Sequence, residues 1–135
     1  MTTPRNIQDQ VTLDGVRVLV VEDDYFIADE ICNTLRAHGA EVIGPSPDVE
    51  QGRRLARTQP IDCAVLDINL QGDLAFGLAN ELRERDTPAI FATGYDDSVL
   101  PEEFTGVVRL EKPVNLRALL QAVHSCVRSE TTSNT

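Results

Sequence analysis

A chain of 135 residues has the length of one domain and can bury a core without disulfide or metal staples. Lys and Arg number 12 against 22 Asp and Glu, and the resulting net charge of −10 repels nucleic-acid phosphate and anionic lipid, which argues against direct binding to either. Cys32, Cys63 and Cys126 form no CxxC or Cys/His spacing, no apolar run has the length of a membrane span, and no signal-peptide core opens the chain, so a soluble cytoplasmic protein with free thiols is expected.

Met1 to Gln10 is polar with a proline, and Ser129 to Thr135 is a hydroxyl-rich run. Residues 1–14 and 129–135 are therefore expected to be flexible flanks of one domain spanning 15–128. After the Asp14-Gly15 turn, Val16 to Val21 reads as an apolar strand that ends in Glu22, Asp23 and Asp24. Ile27, Ile31 and Leu35 then stack at spacings of four on a helix that Gly39 stops. Glu41 to Gly44 is a short second strand, and Ser46-Pro47 reads as the cap and first turn of a weaker helix with Val49, Gly52 and Ala56 on one face, ending before Pro60. Cys63 to Leu66 is too short an apolar run for a helix and is bounded by Asp67, as a buried central strand would be. Leu74, Leu78 and Leu82 give the next helix its apolar side, and Ala89 to Ala92 a fourth strand ending at Thr93-Gly94. Tyr95 to Phe104 is polar and interrupted by proline, which predicts at most a short, loosely held helix. Val107 to Leu110 is a fifth strand interrupted by Arg109, and Asn115 caps a last helix with Leu116, Leu119, Leu120, Val123 and Val127 along one stripe.

Strands alternating with helices imply an α/β fold, a parallel sheet with right-handed crossovers and helices on both faces. Ligands of such sheets collect outside the carboxyl ends of the strands. Glu22 and Asp23, Asp67, Thr93 and Lys112 all fall on that edge. Carboxylates crowded there repel one another, which a divalent cation relieves, and oxygen-only ligands select a hard ion such as Mg²⁺. Lys112 adds a cationic donor for phosphate and Thr93 a hydroxyl, so the set contains the parts for phosphoryl transfer with Asp67 as nucleophile. Asp24 directly precedes the first helix and is read as its N-cap. His38 and His124 belong to no catalytic motif.

The runs VLVVEDD, AVLDINL, FATG and LEKPV, in that order and at those spacings, resemble the receiver domains of two-component response regulators, over Val16 to about Val127. The resemblance implies a doubly wound, flavodoxin-like sheet of five parallel strands in the order 2-1-3-4-5. It implies that Asp67 takes a phosphoryl group from a histidine kinase or phosphotransfer protein, with Mg²⁺ held by Asp23, Asp67 and the backbone carbonyl of Asn69 and with Glu22 assisting through water. Thr93 would move onto the phosphoryl group, Lys112 would pair with it, and the Lys112-Pro113 bond would be cis. FATGY also resembles the FATGUY subgroup of receivers, although Asp96 and Asp97 follow Tyr95.

Two departures from the family pattern bear on signalling. Arg109 stands where the family commonly has an aromatic residue, so the usual inward ring rotation has no counterpart; Arg109 either extends to solvent, pairs with Glu111 or faces a partner. Gln71 and Gly72 replace the frequent proline after the nucleophile, which makes that loop more pliant. Tyr95 is expected to shield the phosphoryl group from water. The leading expectation is a stand-alone receiver, a phosphoacceptor rather than an enzyme, that signals to an unknown downstream protein by changed contacts. The rivals are a small phosphatase working through an aspartyl phosphate, which Asn69 disfavours because it stands where such enzymes place an acid-base Asp, and a docking module that is never phosphorylated.

Overall fold

The β-branched and apolar runs form strands, and the four-residue stripes form the helices that cover them. The computed structural model describes residues 11–69, 72–94, 101–104 and 106–133. In chain order it contains β1 (Arg17–Val21), α1 (Tyr25–Ala37), β2 (Glu41–Ser46), α2 (Val49–Thr58), β3 (Cys63–Asp67), α3 (Gly72–Glu84), β4 (Ala89–Thr93), a 3-10 turn at Glu102–Phe104, β5 (Arg109–Glu111) and α4 (Leu116–Ser133). The strands pair in parallel in the order β2-β1-β3-β4-β5.

Because side chains alternate along a strand, each central strand feeds two cores. Val18, Val20, Cys63, Val65 and Ile90 pack under α1 and α4, against Ile31, Leu35, Leu119 and Val123. Leu19, Val21, Ala64, Leu66 and Phe91 pack under α2 and α3, against Val49, Ala56, Leu78 and Leu82. Burial on both faces is what makes β3 apolar at every position up to Asp67. Asp24 caps α1 as expected, accepting from the backbone N–H groups of Phe26 and Ile27 at 2.9 and 3.1 Å. Asn115 does the same for α4, accepting from the N–H of Ala118 at 2.9 Å.

Several boundaries differ from the sequence reading, each for a local reason. β2 continues past Gly44 to Ser46, because Gly44 adopts φ +104° and the strand resumes pairing with Val21 opposite Ser46. A Cβ at Gly44 would lie 3.0 Å from the Val20 carbonyl oxygen, so the close approach of the two strands needs a glycine. The carbonyl of Ser46 accepts from the N–H of Glu22 at 2.9 Å, which keeps Ser46 in the sheet and leaves the cap of α2 to Asp48, whose carboxylate accepts from the N–H of Gln51 at 2.8 Å. Val11 and Leu13, placed in the flexible flank by the sequence, are buried in the α1/α4 core, and the N–H of Leu13 donates to His38 O at 2.7 Å. At the other end α4 continues to Ser133, beyond residue 128. Phe104 is not loosely held: it is buried, with ring centroids 5.3 Å from both Phe76 and Phe91 and the Arg83 guanidinium 4.7 Å from its own. Residues 95–100 of that stretch lie outside the described residues. β5 has only three residues, and Arg109 and Glu111 are exposed on either side of half-buried Leu110.

Candidate functional site

Parallel strands all end on the same edge, and the alternation that fills the α1/α4 core continues one step beyond it. Glu22 follows Val20, Asp67 follows Val65, and Lys112 follows Leu110 at spacings of two, so these three side chains converge over α1 and α4. The ammonium of Lys112 is 3.1 Å from Glu22 Oε1 and 3.0 Å from Asp67 Oδ2. Both carboxylates are buried. Lys112 is positioned from the sheet as well: its N–H donates to Thr93 O at 2.8 Å, and the Lys112–Pro113 peptide is cis.

Burial pushes the Glu22 carboxyl up to about 7 from an ordinary 4.5, and the adjacent Asp67 charge pushes the same way. The Asp24 N–H, donating to Glu22 Oε2 at 3.0 Å, and Lys112 oppose the shift without cancelling it. For Lys112, burial alone would lower the ammonium; hydrogen bonds to Asp67 and Glu22 outweigh it and carry the group above its ordinary value.

Asp67 offers its two oxygens to different neighbours. Oδ2 faces Lys112, while Oδ1 accepts from the N–H of Asn69 at 2.9 Å. Exposed Asp23 completes an oxygen-only cluster: one carboxylate oxygen each from Glu22, Asp23 and Asp67 lie within 4.8 Å of one another. Hard oxygen donors with excess negative charge fit a divalent cation such as Mg²⁺ far better than a thiophilic metal. Thr93 closes the group from β4. It is buried, and its hydroxyl oxygen has no hydrogen-bond partner among the described residues. A buried hydroxyl without a partner is an unusual expense for a fold, and it marks the place where an additional oxygen ligand gains most.

Glu22, Asp23, Asp67, Thr93, Lys112 and Asn69 are thus brought together at one end of the sheet. Arg109 is three residues from Lys112 and exposed on the other side of β5, and Tyr95 lies outside the described residues. One contact was not foreseen. The Asn69 side-chain oxygen accepts from the N–H of Gly94, tying the loop after β3 to the loop after β4. The residue signal for it is thin, an amide two positions after a strand-end Asp and a glycine after a strand-end Thr.

Comparison with known proteins agrees with this geometry. The family model for the response regulator receiver domain matches residues 18–124. The sensory transduction protein LytT of Bacillus cereus is 33% identical over 113 residues, which cover 80% of this chain and 46% of that protein. LytR of Streptococcus agalactiae is 31% identical over 105 residues, 73% of this chain and 42% of that one. The chain therefore spans under half the length of these curated relatives. Among solved structures, a CheY-like receiver domain protein from Methanospirillum hungatei superposes with a TM-score of 0.77 at 25% identity, covering 87% of this chain and 98% of that one. SdrG from Sphingomonas melonis gives a TM-score of 0.73 at 28% identity, covering 83% and 96%.

Proposed function

The chain belongs to the response regulator receiver domain family, and on that premise we propose that it accepts a phosphoryl group on Asp67 from the histidine of a kinase or phosphotransfer protein in the cytoplasm. The observation that carries this reading is the pairing of Asp67 Oδ2 with Lys112 at 3.0 Å, at the strand edge where the buried hydroxyl of Thr93 has no hydrogen-bond partner among the described residues. A carboxylate oxygen of Asp67 attacks phosphorus, the P–N bond to the donor imidazole breaks, and its electron pair stays on the imidazole nitrogen. The product is an acyl phosphate on Asp67. Lys112 exchanges part of its bonding from the carboxylates to the phosphoryl oxygens, and the Thr93 hydroxyl turns to donate to one of them.

Asp23, Asp67 and the backbone carbonyl of Asn69 would hold Mg²⁺, with Glu22 acting through water. When bound, the ion supplies the neutralisation that three crowded carboxylates and an incoming phosphoryl group require. Tyr95 shields the acyl phosphate from water. The signal leaves as changed protein contacts along residues 95–104, β5 and α4, with Arg109 on the exposed side of β5 in place of an aromatic relay. With a net charge of −10, the downstream partner is a protein rather than DNA or a lipid surface.

Incubation with phosphoramidate and Mg²⁺ tests the reading by intact mass. The expected result is a gain of one phosphoryl group that is absent in Asp67→Asn. An unmodified wild-type mass favours an unphosphorylated docking module, and continuous turnover of a phosphate ester with an Asp67-dependent burst favours a phosphatase.

A further inference from the structure

We propose that the side chain of Asn69 is a latch on the phosphoryl site, holding the Gly94 N–H in a bond that the phosphoryl group must displace. The inference rests on the reading of Asp67 as phosphoacceptor and concerns how fast that reaction runs. Its basis is the register of β3 and β4. Asp67 pairs with Ala92, and the N–H of Ile68 donates to Ala92 O at 3.1 Å, so two further residues along each chain Asn69 comes opposite Gly94. Past the last ladder bond the Gly94 N–H, next in the chain to Thr93, bonds to a side chain: the Asn69 amide oxygen accepts from it. The Thr93 hydroxyl beside it in sequence has no hydrogen-bond partner among the described residues.

A side-chain oxygen two residues after Asp67 thus occupies the N–H that follows Thr93. In this proposal a phosphoryl oxygen on Asp67 takes the same N–H, while Lys112 is engaged with Oδ2. The two oxygens compete for one N–H. Gly94 permits the close approach: a Cβ there would stand 3.2 Å from the Asn69 amide oxygen, tighter than ordinary contact. Asn69 itself is exposed, so its side chain can swing into solvent when displaced, and the backbone carbonyl assigned to the metal stays where it is.

A latch and a staple make opposite predictions. If the bond only preorganised the two loops, removing it would slow phosphorylation; a latch, once removed, speeds it. The experiment is Asn69→Ala, with initial rates of phosphorylation by phosphoramidate at saturating Mg²⁺ and amide hydrogen exchange at Gly94 by NMR. We expect Gly94 exchange to accelerate and phosphorylation to run roughly two- to tenfold faster, the range that loss of one neutral hydrogen bond gives. Unchanged Gly94 exchange, or a rate equal to or below that of the wild type, overturns the latch while leaving Asp67 as the acceptor. A wild-type protein that gains no phosphoryl group at all overturns the reading of Asp67 instead.

Discussion

Glu22 departs far from its ordinary chemistry, and it gives the site a pH signature. Its carboxyl titrates at about 7 in the fold against an ordinary 4.5, chiefly because it is buried. Between those values the folded chain keeps a proton that the unfolded chain has released, so stability falls as pH rises through this window, opposite in sign to a carboxylate held down by a salt bridge. Lys112, pushed up, stays charged throughout and does not contribute to the slope. In a chelating buffer the urea midpoint should drop between pH 5 and pH 8, and Glu22→Gln should remove most of that drop; an equal drop in both proteins would place the effect elsewhere. Glu22, Asp23, Asp67, Thr93 and Lys112 were legible in the sequence because each stands at the end of a strand-like run, and such ends are marked by composition. The hydrogen bond from Gly94 to Asn69 was not legible, since it depends on two loops meeting in register, which no local pattern encodes.

At the scale of elements, the segment before β5 shows what periodicity leaves out. A few scattered apolar residues in a polar, proline-interrupted stretch give too little period to count, so Phe104 contributed nothing to the sequence reading. In the fold its ring joins Phe76 from α3 and Phe91 from β4, and so fastens the 3-10 turn to the α2/α3 core. Phe104→Ala should cost about 3 to 5 kcal/mol, as a large aromatic removed from a closed core does. Equilibrium urea unfolding measures this; a loss below about 1 kcal/mol would mean that the turn contributes little to the core. The cap of α2 illustrates the other kind of gap. Ser46 and Asp48 are both good caps two residues apart, and what separates them is the sheet bond from Glu22 N to Ser46 O, a tertiary contact between β1 and β2. The continuous apolar runs of β1, β3 and β4, interleaved with helical stripes, carried the doubly wound architecture, whereas the ends of elements were fixed by bonds to neighbours distant in sequence.

For the molecule as a switch, the question is how much free energy phosphorylation brings to a change of shape. Reversing a 1:99 equilibrium to 99:1 takes about 5.5 kcal/mol of differential binding. Lys112 is already bonded to Asp67 and Glu22, so its bond to a phosphoryl oxygen is largely an exchange of partners. The Thr93 hydroxyl has no hydrogen-bond partner among the described residues, and its bond to a phosphoryl dianion is the new one, worth about 1.5 to 3 kcal/mol. At about 3 kcal/mol the equilibrium moves by roughly 150-fold, so a phosphorylated protein that is nine-tenths active starts from a free protein that is active roughly 5% of the time. Weaker coupling requires a larger starting population. With Phe104 anchored, the exchange should show at Thr93, Gly94 and β5 rather than at the 3-10 turn. Relaxation dispersion on the unphosphorylated protein should therefore detect a minor state of about 5% or more at those amides, shifted toward the phosphorylated spectrum. Flat dispersion at Thr93 and across β5, in a protein that phosphorylates normally, would mean that the driving force comes from contacts other than the Thr93 hydroxyl.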